Sequence, residues 1–442
     1  MKAVLISTYE LGRQPFGLAS PAAWLRTSGW DVVCVDTAKE RLSDDLVASA
    51  DLVGFHLPMH TATRMAMPII KKIRQLNPSA RVCAYGLYAP LNAEALTSIG
   101  VDRTFAGEFE QELTAWANGD ARTAPDTRVP RIHFLVPDRR GLPPLDRYAT
   151  LHMPDGERRL VGSTEASRGC KHLCRHCPIV PVYGGQFRIV APDVVLADAS
   201  AQIAAGARHI TFGDPDFFNG PTHAVRIVEA LHETHPEVTY DVTIKVEHLL
   251  KYRELLPRLA DTGCAFVTSA VESIDDHVLA ILDKGHTRAD FIEAVHAMRA
   301  AGLVLVPTFV AFHPWLTLDD YCDLLNTLAG LDLVDEVAPI QLAIRLLVPR
   351  GSLLLDVPDV ADRLDGFDPS TLTYRWSHAD PRVDDLQRRV MALVGRQTTI
   401  DRRELFARIS TLAHEAAGRT PPETRPARDR STVPYLNEPW YC

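Results

Sequence analysis

Ser167-Arg-Gly-Cys-Lys-His-Leu-Cys-Arg-His-Cys-Pro178 is the stretch on which the reading of this chain turns. It sets Cys170, Cys174 and Cys177 at a C-x3-C-x2-C spacing, three thiols within eight residues. Gly169 lets the backbone turn sharply into the loop, and Pro178 ends the run by fixing φ. A loop this tight can point three sulfurs at one centre and supplies no fourth. A cube of four irons bound in this way keeps one iron open to an exogenous ligand. Zinc is the rival, but structural zinc wants four closed ligands, usually from paired knuckles. The chain has no second C-x2-C pair, although His172 or His176 could complete a site.

Composition narrows the class. The 442 residues suffice for two or three domains. Hydrophobic residues make up 46% and charged residues 23%, an ordinary globular profile. A formal net charge of −9 argues against a broad nucleic-acid-binding surface. The N-terminal MKAVLIST is too short an apolar run for a secretion signal. No apolar run reaches the roughly 18 residues of a membrane span, so a cytoplasmic protein is expected. Eight cysteines over this length are not a disulfide framework. Cys34, Cys83, Cys264 and Cys322 stand singly in apolar or helical contexts and read as small buried hydrophobes.

The cysteine spacing resembles the signature of the radical S-adenosylmethionine (SAM) superfamily. The resemblance implies a 4Fe-4S cluster held by Cys170, Cys174 and Cys177, whose open iron binds the amino and carboxylate groups of SAM. The reduced cluster then cleaves SAM to methionine and a 5′-deoxyadenosyl radical. Family members usually carry an aromatic residue before the third cysteine; here it is His176, with a stacking role near adenine. The resemblance also implies a small-molecule or peptide substrate and a reductant such as flavodoxin or ferredoxin.

Residues 1–118 alternate short apolar runs with helical patterns. Lys2-Ala-Val-Leu-Ile-Ser-Thr8, Asp31-Val-Val-Cys-Val-Asp36, Asp51-Leu-Val-Gly-Phe55 and Arg81-Val-Cys-Ala-Tyr-Gly86 read as doubly buried strands. Residues 19–28, 43–50 and 62–76 read as helices, with Ser43 as an N-cap. This alternation predicts a doubly wound parallel sheet with ligands off its carboxyl strand ends. No G-x-G-x-x-G follows the first strand, which excludes a dinucleotide fingerprint. The domain resembles the cobalamin-binding domain that precedes many radical SAM cores. Tyr85-Gly86 after the fourth strand, Gly107-Glu108-Phe-Glu110 after the fifth and His56-Leu-Pro-Met-His-Thr61 after the third carry the resemblance. The family's cobalt-ligating D-x-H-x-x-G motif is absent; the equivalent loop reads Tyr9-Glu-Leu-Gly-Arg-Gln-Pro15. Cobalamin, if held, is not held by that His. A domain that keeps the fold without the corrinoid is the other reading.

Pro125, Pro130, Pro137, Pro143 and Pro144 mark residues 119–155 as a linker, with apolar anchors at Leu142-Pro-Pro-Leu-Asp-Arg-Tyr148. Asp155-Gly156 reads as a hairpin turn. From 156 to 360, six strand–helix units, with a helix over 248–262 and the sixth strand at 340–347, suit an open parallel β/α barrel, the radical SAM core that the resemblance implies. Catalytic groups in such barrels lie at the carboxyl ends of strands. After the second strand comes Gly213-Asp-Pro-Asp-Phe-Phe-Asn219, where relatives receive the SAM amino group. Asp214 and Asp216 fit an ammonium, which needs acceptors; a helix N-cap is the plainer role. Glu272-Ser273 after the fourth strand corresponds to a Glu-Ser pair that contacts the SAM ribose. Lys245 ends the third strand and suits the SAM carboxylate or a salt bridge. Asp283-Lys-Gly-His-Thr287 resembles the family's K-G-x-T turn. His313-Pro314 and Arg345-Leu-Leu-Val-Pro-Arg-Gly-Ser352 are candidates for substrate contacts.

Residues 361–417 read as a small helical region, with amphipathic helices at 383–395 and 402–417. Residues 418–442 read as a flexible Pro- and Arg-rich linker and a tail, Val433-Pro-Tyr-Leu-Asn-Glu-Pro-Trp-Tyr-Cys442, whose apolar character predicts docking. The linker spans roughly 20–25 Å, enough to bring Cys442 toward the barrel mouth. Asn-Glu-Pro-Trp-Tyr-Cys442 resembles the ending of the CCAEP/CUAEP-tail radical SAM proteins, where U is selenocysteine. That resemblance implies a redox-active, catalytic Cys442 and continuation through a selenocysteine codon; a naturally short tail ending on an ordinary Cys is the other reading. Cobalamin-dependent methyl transfer is the expected chemistry. A cluster-bearing electron-transfer or redox-sensing protein is the alternative, although an open iron favours catalysis.

Overall fold

The computed structural model describes residues 1–120, 129–396, 401–422 and 433–437. Strands β1 (Lys2–Ser7), β2 (Asp31–Asp36), β3 (Leu52–His56), β4 (Arg81–Tyr85) and β5 (Arg103–Phe105) form one parallel sheet in the order β2-β1-β3-β4-β5. Alternate residues of each strand feed two cores. Ala3, Leu5, Leu52 and Cys83 pack under the helices Phe16–Thr27 and Glu110–Ala117. Val4, Ile6, Val53 and Val82 pack under the helix His60–Leu76 on the other face. The strand order reverses between β1 and β3, so the loops after them flank the crevice where such sheets bind ligands. Ser43 stands at the N-cap of the helix Asp44–Ala48, but its side chain makes no capping bond.

The second sheet is built from β6 (Thr150–His152), β7 (Arg158–Thr164), β10 (His209–Phe212), β11 (Thr239–Thr243), β12 (Cys264–Glu272) and β13 (Leu305–Phe309), with β8 (Ser167–Gly169) and β9 (Phe187–Ile189) forming a separate ribbon between. β7 and β10 to β13 are parallel neighbours, while β6 returns antiparallel through the expected Asp155-Gly156 turn. Tyr240, Val242, Val267, Val271, Leu305 and Phe309 face the covering helices. Residues offset by one, Thr243, Thr268, Ala270, Glu272, Val306 and Thr308, stay half-exposed on the concave face. The sheet is therefore a half-barrel with an accessible, mostly small and polar inner wall.

Several expectations change. The sixth barrel strand at 340–347 is a short 3-10 turn, Pro339–Leu342, followed by one parallel bridge between Phe312 and Arg345. The Gln341 side chain takes the Phe309 amide proton at 3.1 Å, displacing backbone pairing there. The helix expected over 248–262 divides into Val246–Lys251 and Leu256–Asp261, because Pro257 suits only a first helical turn. The expected helical region also contains an antiparallel pair, β14 (Leu364–Asp368) and β15 (Thr373–Trp376). Its turn is set by Asp368, whose carboxylate accepts the Ser370 amide and hydroxyl at 2.8 and 2.7 Å. The tail docks: β16 (Tyr435–Leu436) pairs antiparallel with β6. Cys442, Pro125 and most of the 418–442 linker lie outside the described residues.

The linker packs as its apolar anchors suggest. Arg139 forms a paired contact with Asp198, Nε–Oδ1 2.8 Å, with side chains 12% and 1% exposed. It also donates to the Ser163 carbonyl at 2.5 Å, and Gln14 donates to the Pro143 carbonyl at 2.8 Å. Removing one partner of a buried pair strands the other charge, at about 3–5 kcal/mol. Arg139→Ala is therefore expected to lose stability on that scale in urea unfolding. The exposed Arg140→Ala should stay within about 0.5 kcal/mol of the parent. Equal, small effects would mean that the linker does not pack this way.

Candidate functional site

The cysteine loop is closed at its base by β8 and β9, which pair Ser167 with Ile189 and Gly169 with Phe187. Gly169 has φ +77°, and a Cβ there would lie 2.3 Å from the Tyr183 ring and 2.6 Å from the Gln186 carbonyl. No other residue fits. The loop is pinned from outside by two neighbours. Asn219 accepts the Lys171 amide at 3.2 Å and donates to the Gly169 carbonyl at 3.3 Å. Arg175 donates to the carbonyls of Ala280 and Ile281 at the end of the helix Asp276–Leu282, and its own carbonyl accepts from Ser352.

Cys174 is buried and Cys170 and Cys177 are half-buried. Burial pushes the Cys170 thiol up to about 11 and the Cys177 thiol up to about 12. Without a cation beside them these thiols stay protonated. Three sulfurs held by one short loop, with Cys170 and Cys177 disfavoured as free thiolates, fit a cluster whose iron charge takes the place of the protons. The donor set therefore suits the group the sequence implies.

Around the loop stands a ring of charge from the strand ends. Asp216 is buried; its Oδ2 lies 2.6 Å from His248 Nδ1 and 3.3 Å from His172 Nε2. Burial alone would raise this carboxyl, but the hydrogen bonds from His172 and His248 hold it down to about 2. Lys245 Nζ lies 3.2 Å from His172 Nδ1 and 3.1 Å from Glu247. Cys170, His172 and Asp216 bring ligand atoms within 4.8 Å of one another. Across the mouth, Glu272 has φ +69° and lies where the β12–β13 register shifts. Its Oε1 is 3.1 Å from His176 Nε2 and 3.4 Å from Lys284 Nζ. Burial opposes its charge, yet Lys284 and His176 bring it down to about 2.

These contacts place the expected residues in two groups. Cys170, Cys174, Cys177, His176, Glu272, Asp216 and Lys245 surround one space, and His176 and Glu272 prove to be direct partners. Gly213 is exposed at the same mouth. Asp214 and Ser273 differ from expectation. Asp214 accepts the Ala166 amide at 2.9 Å and the Ser167 hydroxyl at 2.6 Å, and burial pushes it up to about 7, so it braces the loop entry. Ser273 accepts the Asp275 amide at 3.1 Å and serves the turn. Arg345, a candidate substrate contact, is engaged by Asp384 at 2.6 Å and stacks on Trp376. His313 is buried, and burial pulls it down to about 4.

A cavity separates the carboxyl ends of the two sheets, lined by Glu10, His56, Gly86, Gly107, Arg168, Gly169, Tyr183 and Gly213 among others. Five glycines in that wall, Gly17 included, allow a flat group to approach the backbone, as a corrin ring requires. Tyr85 does not reach the cavity; it is fully buried between His56 and Phe109. Glu108 is also withdrawn, bonded to Arg168 and to the Tyr183 hydroxyl, both at 3.1 Å. His56 Nδ1 is 3.2 Å from Glu10, and its ring occupies the place of a Gly17 side chain, 2.1 Å from an added Cβ. His248, Lys284 and Arg168 are the members that sequence reasoning missed; Arg168 and Lys284 sit within the stretches 167–178 and 283–287, whereas His248, three residues past Lys245, carried no signal.

Residues 164–328 match the family described as the radical SAM superfamily. The hopanoid C-2 methylase of Rhodopseudomonas palustris (strain TIE-1) is 24% identical over 307 residues, 66% of this chain and 55% of that protein. A tRNA-2-methylthio-N(6)-dimethylallyladenosine synthase of Desulfosudis oleivorans is 25% identical over 191 residues, 40% of this chain and 38% of that protein. The chain thus spans about half the length of these curated relatives. Among solved structures, the cobalamin-dependent SAM radical enzyme OxsB with aqua-cobalamin and SAM bound superposes with TM-score 0.68 at 13% identity, covering 94% of this chain and 71% of that one. The radical SAM methyltransferase TsrM from Kitasatospora setae, with tryptophan and a SAM analogue bound, gives 0.65 at 16% identity and 89% of both chains. At these identities the likeness is one of fold.

The site makes two predictions. Gly169→Ala forces a strained backbone, a cost of about 1–3 kcal/mol, and a clash in the loop. Reconstituted protein should bind well under half the parental iron, and parental loading would refute the closure argument. Asp216 has its pKa lowered from 3.8 to about 2. Its stabilisation is fully present above about pH 4 and is lost as pH falls through about 2. Asp216→Asn should therefore show a shallower loss of stability over that window in acid titration by circular dichroism; an unchanged slope would contradict the assigned ion cluster. The matched sequence and its cysteine loop make residues 164–328 a radical SAM domain.

Proposed function

We propose that the chain is an enzyme that cleaves SAM reductively and transfers a methyl group to a small molecule or peptide with the help of a corrinoid. The observation that carries this reading is a three-cysteine loop, without a fourth protein thiol beside it among the described residues, at the mouth of an accessible half-barrel. When bound, the cluster supplies the electron that breaks a SAM carbon–sulfur bond, and the corrinoid supplies a route for the methyl group.

The chain's own residues bind and orient. Cys170, Cys174 and Cys177 would hold the cluster, leaving one iron for SAM. Glu272 keeps its charge, and with Oε1 on His176 and Lys284 its other oxygen can accept from the ribose hydroxyls. Lys245, fixed by Glu247 and His172, is the cation for the SAM carboxylate. Gly213 offers backbone to the amino group, while Asp216 fixes His172 and His248 from behind. The corrinoid would lie against Gly86 and Gly107, with Glu10 and His56 paired beside it. The small side chains of Thr243, Thr268, Ala270 and Thr308 leave room for substrate. Among the described residues no helix is long and apolar enough to cross a membrane. The electron comes from a carrier such as flavodoxin or ferredoxin.

The test is anaerobic. Protein with reconstituted cluster and hydroxocobalamin is given SAM and dithionite, and 5′-deoxyadenosine and S-adenosylhomocysteine are measured. Both products are expected from the parent, and at least about a hundredfold less from Cys174→Ala. Loaded protein that binds SAM and makes neither product would favour the electron-transfer reading.

A further inference from the structure

Behind the inter-sheet cavity lies a charge cluster that cofactor binding does not account for. Arg168 Nη1 is 2.6 Å from Glu110 and 3.1 Å from Glu108, and its Nε is 2.7 Å from Glu165. The guanidinium also donates to the Ser20 hydroxyl at 3.3 Å, and Phe16, Phe109 and Phe134 surround it at 4.8–5.7 Å from their ring centres. The Arg168 side chain is 8% exposed, and Glu108 and Glu110 are 0% exposed. One cation thus faces three carboxylates, two of which, Glu108 and Glu110, are shut away from water. The partners come from different parts of the chain. Glu108 and Glu110 follow β5 of the first sheet and Ser20 sits on its first helix, whereas Glu165 lies between β7 and β8.

Arg168 itself belongs to β8, paired with Arg188 of β9, and the next two residues are Gly169 and Cys170. Its backbone fixes the cysteine loop while its side chain is gripped by the first domain. The same arginine, with Glu165, Gly169 and Tyr183, lines the cavity. A group entering that cavity must meet this fork. A planar fork between carboxylates has discrete arrangements rather than a continuum, so a small displacement there changes both loop orientation and local field.

We propose that Arg168 is a positioning residue that couples occupancy of the inter-sheet cavity to the environment of the cluster held by Cys170, Cys174 and Cys177. This rests on the reading of loop and cavity given above. If Arg168 were only domain glue, its replacement would lower stability and leave communication between the two sites intact.

The experiment uses the full chain and two variants, Arg168→Lys, which keeps the charge and loses the fork, and Glu108→Gln, which removes one carboxylate at constant shape. Hydroxocobalamin binding is followed by visible absorbance. Coupling is read twice: from the electron paramagnetic resonance spectrum of the reduced cluster, and from hydrogen exchange of the 166–178 segment in cluster-free protein. In the parent, hydroxocobalamin is expected to shift the spectrum and slow exchange in the segment at least about threefold. Both responses should vanish in the variants while hydroxocobalamin still binds. The exchange arm serves any variant that folds but loads iron poorly, and Glu108→Gln serves if Arg168→Lys does not fold. Parental responses in the variants, or a parent that binds hydroxocobalamin without either response, would overturn the proposal alone. A parent that does not bind hydroxocobalamin would overturn the corrinoid reading and the coupling with it.

Discussion

The left-handed turn at Gly169, wedged against the Tyr183 ring and the Gln186 carbonyl, fixes where the three cysteines can point. The turn is stable because both sides of the loop base are held: β9 pairs with β8 on one side, and the Asp214 carboxylate takes the Ala166 amide and Ser167 hydroxyl on the other. From that base the chain has eight residues in which to present three sulfurs. Asn219 and the carbonyl end of the helix Asp276–Leu282 hold the far side of the loop through Lys171 and Arg175. A loop so constrained can specify geometry at a metal centre without contributing a fourth ligand.

The electrostatics around the loop divide by position. On the half-barrel side, Asp216 and Glu272 remain charged despite burial because histidines and Lys284 face them. These are fixed charges suited to a zwitterionic ligand such as SAM. On the side of the first domain, burial raises Glu108 to about 7 and also raises Glu165, even with Arg168 between them. The two environments differ because each carboxylate of the first pair has two nitrogen partners, whereas Glu108 and Glu165 share one arginine with Glu110.

The sequence made four of the five strands of the first sheet and the parallel half-barrel legible, since doubly buried strands and amphipathic helices leave strong apolar periods; the short β5 was not among them. The cluster cysteines were legible for a different reason: sulfur at that spacing has few other uses. What escaped was set by tertiary geometry. The sixth strand gave way to the Gln341 side chain, and the β14–β15 ribbon hid in a segment whose turn signal is only Asp368-Pro369-Ser370. Asp214 and Glu108 read as ligand contacts because they follow strand ends, but each faces inward to a protein partner. Arg168 stood in the most informative stretch of the chain, yet two of its three carboxylate partners, Glu108 and Glu110, come from the far-off first domain, beyond any local pattern.

The central claim is that this loop leaves one iron of a four-iron cluster for SAM. Mössbauer spectroscopy of protein reconstituted with 57Fe, recorded with and without SAM, tests it most directly. The account predicts that one quarter of the iron signal moves to parameters of higher coordination when SAM is added, while the remaining three quarters stay in place. A spectrum unchanged at saturating SAM, or a cluster whose four irons are all equivalent and sulfur-bound, would contradict it.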